Sequence, residues 1–242
     1  MSKMSFRNGA AKKQLAKRRL RVKALLLDLD GTLVDSSEAL KEAGRAGFIA
    51  LGLPDVHDEK IPFEVARRLE LDLPIDDLFS KFNVTKEVEE RFLPAYLTAY
   101  YSVSVTSRSK PFPQAKRTLQ ILSRRFPLAL ITLRYVVREQ VLDELNHLGL
   151  GKLFRAVVTT LDVEKPKPFP DALLVAARKL RVPISECAIV GDSIIDIQAG
   201  KAAGAKTIAV LTGLFSRAEL EAQKPDLLID DLASLPACTS VG

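Results

Sequence analysis

From Gln114 onward the chain alternates short apolar runs with helix-length amphipathic stretches, and this rhythm constrains its fold more than any other feature. Helices are predicted over Gln114–Arg125, Arg134–Leu148, Pro170–Leu180, Ile194–Ala203 and, briefly, Arg217–Ala222. Strands are predicted over Leu128–Thr132, Ala156–Thr160, Cys187–Gly191, Lys206–Val210 and Leu227–Ile229. An earlier strand is predicted over Ala24–Leu29, where Leu25, Leu26 and Leu27 stand in a row. Strands too apolar to alternate, separated by helices, imply right-handed β-α-β units and a parallel sheet covered on both faces. The expected fold class is therefore α/β, a doubly wound parallel-sheet (Rossmann-like) core. In such sheets ligands sit beyond the carboxyl ends of the strands, near the switch in strand order.

The rhythm is broken once. A helix is predicted over Ser36–Leu51, and the pattern stays helical from Glu59 to about Val105, punctuated by Pro62, Pro74 and Pro94. The chain thus reads as a core formed by residues 23–36 and 107–242, split by an all-helical cap over residues 37–106. Residues 1–22 read as a basic tail. Nine of the 36 basic residues fall before Ala24 with no acidic one among them, leaving 27 basic against 30 acidic in the body. The formal charge of +6 belongs to that tail, so the composition gives no support for a nucleic-acid-binding fold. The tail is expected to be solvated, with some helix over Ala10–Leu20 and at most a weak affinity for polyanions. No apolar run approaches the 18–20 residues of a membrane span. Two cysteines, Cys187 and Cys238, are too few for a disulfide framework and suggest a reducing, cytoplasmic setting.

Polar residues gather where the apolar runs end. Asp28-Leu29-Asp30-Gly31 follows the first strand, and alternation along an extended chain puts Asp28 and Asp30 on one side. Neighbouring carboxylates repel unless a cation lies between them or one keeps its proton. That is a poor structural device and a useful catalytic one. Gly31 permits a tight exit with backbone N–H groups facing an anion. Gly191-Asp192 ends a second strand, with Asp196 four residues on; helix capping alone would also explain this pair. Thr132 ends a third strand. Lys165 stands in Glu164-Lys165-Pro166-Lys167-Pro168, where prolines restrict the loop. A hydroxyl and a rigidly held ammonium both suit phosphate oxygens.

Taken in this order, each at a strand end, these residues make the chain resemble the haloacid dehalogenase-like hydrolase superfamily, in its phosphoglycolate phosphatase-like branch. The resemblance runs from about Lys23 to Ile229. It is carried by Asp28–Ser36 (DLDGTLVDS), by Glu164–Pro168, and by Gly191–Gly204 (GDSIIDIQAGKAAG). It implies that Asp28 is the nucleophile of an aspartyl-phosphate intermediate. Asp30 would protonate the leaving oxygen and then activate water. Mg2+ would be held by Asp28, Asp192 and the backbone carbonyl of Asp30, with Asp196 behind them. Gly31, Thr132, the backbone of Leu133 and Lys165 would bind the phosphoryl group. Hard carboxylate and carbonyl oxygens suit Mg2+. A departure from the family is Leu133-Arg134 after Thr132, where relatives often have Asn; it bears on the outer contacts. Another is Gln114, where Gly is frequent, which is read as neutral.

The resemblance implies a Mg2+-dependent phosphatase acting on a small phosphate monoester, as a monomer or homodimer. A phosphomutase of the β-phosphoglucomutase kind, or a pyrophosphatase, would keep the same core. A dehalogenase lacks the second aspartate, which Asp30 supplies, and a non-catalytic relative would have lost a charged position. A cap between the first two motifs favours small soluble substrates. Arg45, Arg67 and Arg68 could contact them, although solvated helix faces explain these residues as well. His57 and His147 read as surface residues.

Overall fold

The computed structural model describes residues 19–84, 87–101 and 110–242. The basic segment over residues 1–18, with most of its predicted helix, lies outside the described residues. Leu20, the last residue of that predicted helix, belongs instead to a strand. β1 (Leu20–Val22) pairs in parallel with a strand at the far end of the sequence, Thr239–Val241. Residues 20–22, grouped with the tail on charge, thus have a partner in the core. A strand of three residues is too short to show a period.

β2 (Ala24–Leu27) is wholly buried. Leu25 and Leu27 pack into the cluster on one face of the sheet, while Ala24 and Leu26 pack into the cluster on the other. Burying each leucine contributes about 1.5–3 kcal/mol. β3 (Val34–Asp35) leads into the cap helices: α1 (Ser37–Ala50), α2 (Ile61–Glu70) and α3 (Leu93–Tyr100), with a 3₁₀ turn over Asp76–Phe82 and a π-helical turn over Val88–Phe92. The cap has its own core, in which Phe48, Phe79, Phe92 and Tyr96 meet edge-on, tilted or stacked. α1 passes so close to Phe92 that a Cβ at Gly47 would overlap the ring. The chain returns through β4 (Lys110–Pro111), antiparallel to β3. The cap therefore enters and leaves by two adjacent strands, which the sequence reading did not include.

The core then follows in order: α4 (Ala115–Ser123), β5 (Leu128–Ile131), α5 (Arg138–His147), β6 (Ala156–Val158), α6 (Asp171–Leu180), β7 (Cys187–Gly191), α7 (Ile194–Ala203), β8 (Lys206–Val210), α8 (Arg217–Ala222), β9 (Leu227–Ile229), α9 (Leu235–Cys238) and β10 (Thr239–Val241). Six strands form one parallel sheet in the order β6-β5-β2-β7-β8-β9. The expected doubly wound α/β core is what the chain adopts. Its order reverses around β2, so the carboxyl ends of β2, β5 and β7 flank the switch point. α5 starts at Arg138, four residues later than predicted, and this leaves Arg134 in the loop after β5. Gln114 precedes α4 with φ +66°, a left-handed backbone that L-residues resist. The frequent glycine there has a steric reason, and the glutamine is not neutral.

Candidate active site

Three strand ends deliver the polar residues to one place. Asp28 follows β2, its N–H donating to Val190 O at 2.9 Å. Asp192 and Asp196 follow β7, and Thr132 follows β5. Asp28, Asp192 and Asp196 are all buried, and each offers a carboxylate oxygen within 4.8 Å of the other two. Asp196 is fixed by a reciprocal cap on α7: its Oδ2 accepts from Ser193 N–H at 3.2 Å, and its own N–H reaches Ser193 Oγ at 3.4 Å. Capping therefore orients Asp196 without consuming both of its oxygens.

Asp192 lies in a cradle. Its Oδ1 accepts from Thr32 Oγ1 at 2.6 Å, and a Cβ at Gly31 or Gly213 would overlap its carboxylate. Gly31 also needs its φ of +79° to turn the chain after Asp30. Thr212 Oγ1 donates to Gly31 O at 2.6 Å, which ties the loop after β8 to the first motif. Gly213 carries no sequence signal of its own and was not anticipated.

The buried ammonium of the site is Lys167, not Lys165. Its Nζ donates to Asp28 Oδ1 at 2.7 Å and to Asp196 Oδ1 at 2.6 Å. Lys165, predicted to bind phosphate, is exposed with its Nζ 5.3 Å from the centroid of the Phe169 ring. The sequence offers two consecutive Lys-Pro pairs, and only the path of the loop onto α6 separates them. Burial pushes the Asp28 carboxyl up to about 7, with Asp196 and Asp30 adding to the shift and Lys167 opposing it. Burial, together with the charges of Asp28, Asp196 and Glu70, also holds the Asp192 carboxyl well above the ordinary range. Three carboxylates against one ammonium leave negative charge uncompensated. The all-oxygen donor set and the glycine cradle fit a small divalent cation such as Mg2+.

Asp30 is held apart from this cluster. Arg134 grips it bidentately, Nε to Oδ2 and Nη2 to Oδ1, both at 2.7 Å, and Ser36 Oγ donates to Oδ1 at 2.5 Å. Burial works against the charge on Asp30, but the guanidinium and its hydrogen bonds outweigh it and hold the carboxyl below its usual value. Arg134 also pairs with Glu144 of α5 in the interior. The Arg134 N–H reaches Thr132 Oγ1 at 3.2 Å, and Thr160 Oγ1 donates to Leu133 O at 2.8 Å. The departure noted after Thr132 is thus a fork clamping the second aspartate.

Above this floor lies a cavity of about 380 Å³, lined by Asp30, Gly31 and Asp192 from the core and by Phe63, Glu70 and Tyr100 from the cap. Glu70, the last residue of α2, lies near the carboxylates. Burial and the charges of Asp196, Asp28 and Asp30 push its carboxyl up to about 8, although Lys167 opposes this. The cap arginines are engaged elsewhere. Arg67 pairs with Glu64 and with Glu219 of α8, and lies over Phe215; Arg68 pairs with Glu64 and Asp77. Arg45 is exposed, His147 is exposed, and Cys187 and Cys238 are free, buried thiols. No helix among the described residues is long and apolar enough to cross a membrane.

Comparison with known proteins agrees with this geometry. The chain is 30% identical to a phosphoglycolate phosphatase from Pectobacterium atrosepticum over 219 residues, covering 88% of this chain and 91% of that protein. It is 31% identical to the pyrophosphatase PpaX of Bacillus velezensis, over 91% of this chain and 98% of the relative. A haloacid dehalogenase-like family hydrolase from Streptococcus pneumoniae shares the fold with a TM-score of 0.73 at 24% identity, over 89% of this chain and 97% of that one. The family model for haloacid dehalogenase-like hydrolases matches residues 25–210, from β2 through β8, and so takes in every aspartate of the site. With its acidic cluster at the switch point of a parallel sheet, this chain belongs to the haloacid dehalogenase-like hydrolase family.

Proposed function

We propose that the chain is a Mg2+-dependent phosphatase that hydrolyses a small phosphate monoester through a phosphoryl group carried on Asp28. The observation that carries this reading is the division of labour between two aspartates two residues apart. Asp28 sits in the cation-demanding cluster against Lys167, while Asp30 is clamped separately by Arg134 and Ser36. A nucleophile and an acid/base need such separate environments.

Asp28, Asp192 and Asp196 would hold the cation. When bound, Mg2+ supplies charge neutralisation at the transferring phosphoryl group. Lys167 keeps Asp28 oriented and adds positive charge beside the carboxylate that attacks phosphorus. Thr132 Oγ1 and the backbone N–H of Leu133 are available to the other phosphoryl oxygens, whereas the Gly31 N–H, expected to face the phosphate, is taken by Val34 O at 2.9 Å. Asp30, kept ionised by Arg134, is ready to take a proton from the water that cleaves the intermediate. Its earlier duty, giving a proton to the leaving oxygen, requires the Arg134 fork to loosen, because that fork favours the ionised form. The cap covers the reaction and limits access to small substrates.

EDTA should abolish hydrolysis of an aryl phosphate, with Mg2+ restoring it and Ca2+ failing, because the looser Ca2+ shell misaligns Asp28. Asp28→Asn should lower turnover by several orders of magnitude and leave no acid-trappable phosphoprotein. Full activity in EDTA, or ordinary turnover by Asp28→Asn, refutes the reading.

A further inference from the structure

Asp30 and Asp192 line the cavity at its core side, and the Lys167 ammonium lies buried behind them against Asp28 and Asp196. Around the leaving-group end, no lysine, arginine or histidine among the described residues lines the wall. Asp35, Ser37 and Thr212 stand at the core side of that wall, and Glu70, Tyr100 and Phe63 at the cap side. Of the cap arginines considered as substrate contacts, Arg67 and Arg68 are paired with Glu64, Asp77 and Glu219, and Arg45 is exposed and does not line the cavity.

Glu70 is unusual among these side chains. Its Oε2 is shut off from solvent and has no hydrogen-bond partner. A buried acceptor left unmatched costs about 1–3 kcal/mol, and a donor brought by a ligand recovers much of it. Ionised, Glu70 offers acceptor oxygens alone; protonated, it keeps an acceptor and gains one O–H donor; in neither state does it carry positive charge. A leaving group bearing hydroxyl or ammonium donors would satisfy it. A carboxylate or a second phosphate there would face a wall rich in acceptors and without a cation among the described residues, which is the arrangement that rejects a ligand by leaving charge unpaired.

We infer that Glu70 makes this enzyme select phosphate monoesters whose leaving group is an uncharged or cationic hydrogen-bond donor, such as a polyol or an amino alcohol, and reject anionic leaving groups such as glycolate. The inference rests on the phosphatase reading above and separates the chain from the substrate in the names of its relatives. No bond changes beyond phosphate hydrolysis are involved; Glu70 is a specificity residue and touches only the leaving group.

Three nearly isosteric esters test it: 2-hydroxyethyl phosphate, 2-aminoethyl phosphate and 2-phosphoglycolate, with an aryl phosphate as reference. In Mg2+, kcat/KM for at least one of the first two should exceed that for phosphoglycolate tenfold or more. A lead for the amine points to charge pairing, and a lead for the alcohol to hydrogen bonding alone. Glu70→Gln should shrink the preference at least fivefold, because the amide always presents an N–H donor to a carboxylate and never the negative charge of an ionised Glu70. A wild-type preference for phosphoglycolate overturns the inference, as does a ratio that Glu70→Gln leaves unchanged. Should that variant fail to fold, the wild-type ranking decides alone. If the wild-type protein cleaves none of the four esters, the phosphatase reading itself falls, an outcome distinct from a wrong ranking.

Discussion

The floor and the roof of the cavity are built to different standards. On the floor each carboxylate has a dedicated partner: Lys167 for Asp28 and Asp196, Thr32 for Asp192, Arg134 and Ser36 for Asp30. Apart from Ser36, which is six residues from Asp30, these partners come from well-separated parts of the chain, so folding of the core fixes them. On the roof the aromatic side chains pack among themselves, and Glu70 is left without a mate. Reaction geometry is therefore preorganised, whereas the contact with the leaving group waits for its ligand. On the proposed reading, chemistry falls to the interlocked half and choice of substrate to the half with an open valence.

The sharpest way to break this contrast is to remove one floor partner while sparing its neighbour in sequence. Lys167→Met keeps the length of the side chain and deletes the charge between two buried carboxylates. It should lower kcat about a thousandfold and cost about 3–5 kcal/mol in a denaturant melt, as losses of one partner in buried pairs do. Lys165→Met, two residues away on the surface, should stay within twofold on both measures. Equal losses from the two variants would remove Lys167 from the site.

Asp30 offers the next largest effect. In Asp30→Asn the nucleophile is intact, and an aryl leaving group needs little help from an acid. Stopped-flow mixing should show a stoichiometric burst of phenolate followed by turnover slowed about 10²–10⁴-fold, since breakdown of the phosphoenzyme lacks its base. Absence of a burst, with both phases slowed alike, would count against separate duties for the two aspartates.

Floor and roof together also predict a pH signature in stability. Asp28 rises from 3.8 in the unfolded chain to about 7 in the folded one, and Glu70 from 4.5 to about 8, burial being the main cause of both. A group that holds its proton more tightly when folded contributes stability that is complete below the unfolded value and lost as pH rises through the folded one. The metal-free protein should thus lose stability between about pH 4 and pH 8. Cation binding to the ionised cluster acts in the opposite sense, so saturating Mg2+ should raise Tm by several degrees at pH 8 and by little at pH 5. Calorimetry with and without EDTA checks this, and equal increments at the two pH values would contradict it.

The smallest effect lies outside both halves. Gln114 pays for a left-handed φ of +66° that glycine adopts freely. Gln114→Gly relieves about 1 kcal/mol of strain and returns part of it as chain entropy in the unfolded state. A net gain near 0.5 kcal/mol should appear as a rise of one or two degrees in Tm. A fall in Tm would mean that the glutamine side chain makes a compensating contact.

What the sequence makes legible follows from periodicity. Runs such as Leu25-Leu26-Leu27 and Ile189-Val190 have no polar face, so they announce strands buried on both sides, and the aspartates that follow them, Asp28 and Asp192, announce where those two strands stop. The sheet and its switch point could be read from that pattern. The two-residue pair β3–β4 and the three-residue pair β1–β10 have no period to read. Lys167 is masked by its double, Lys165. Arg134 looks like the first residue of a helix, and only the tertiary fold turns it back onto Asp30. Glu70 closes an amphipathic helix like any surface glutamate, and its isolation depends on the core beneath it.

The parallel pair β1–β10 has a consequence for orientation. Val22 O accepts from Gly242 N–H, Lys23 N–H donates to Glu186 O, and Lys206 Nζ reaches Arg21 O. Glu186 immediately precedes β7, and Lys206 opens β8, so the segment ahead of β2 is fastened across the amino ends of the sheet. Asp28 stands beyond the other end of β2, a strand about 13 Å long at ~3.3 Å per residue. The basic stretch that precedes Arg19 thus joins the protein at the pole facing away from the mouth of the cavity. A polyanion that engaged that stretch would be tethered through a point on the opposite side of the sheet from Asp28 and Asp192.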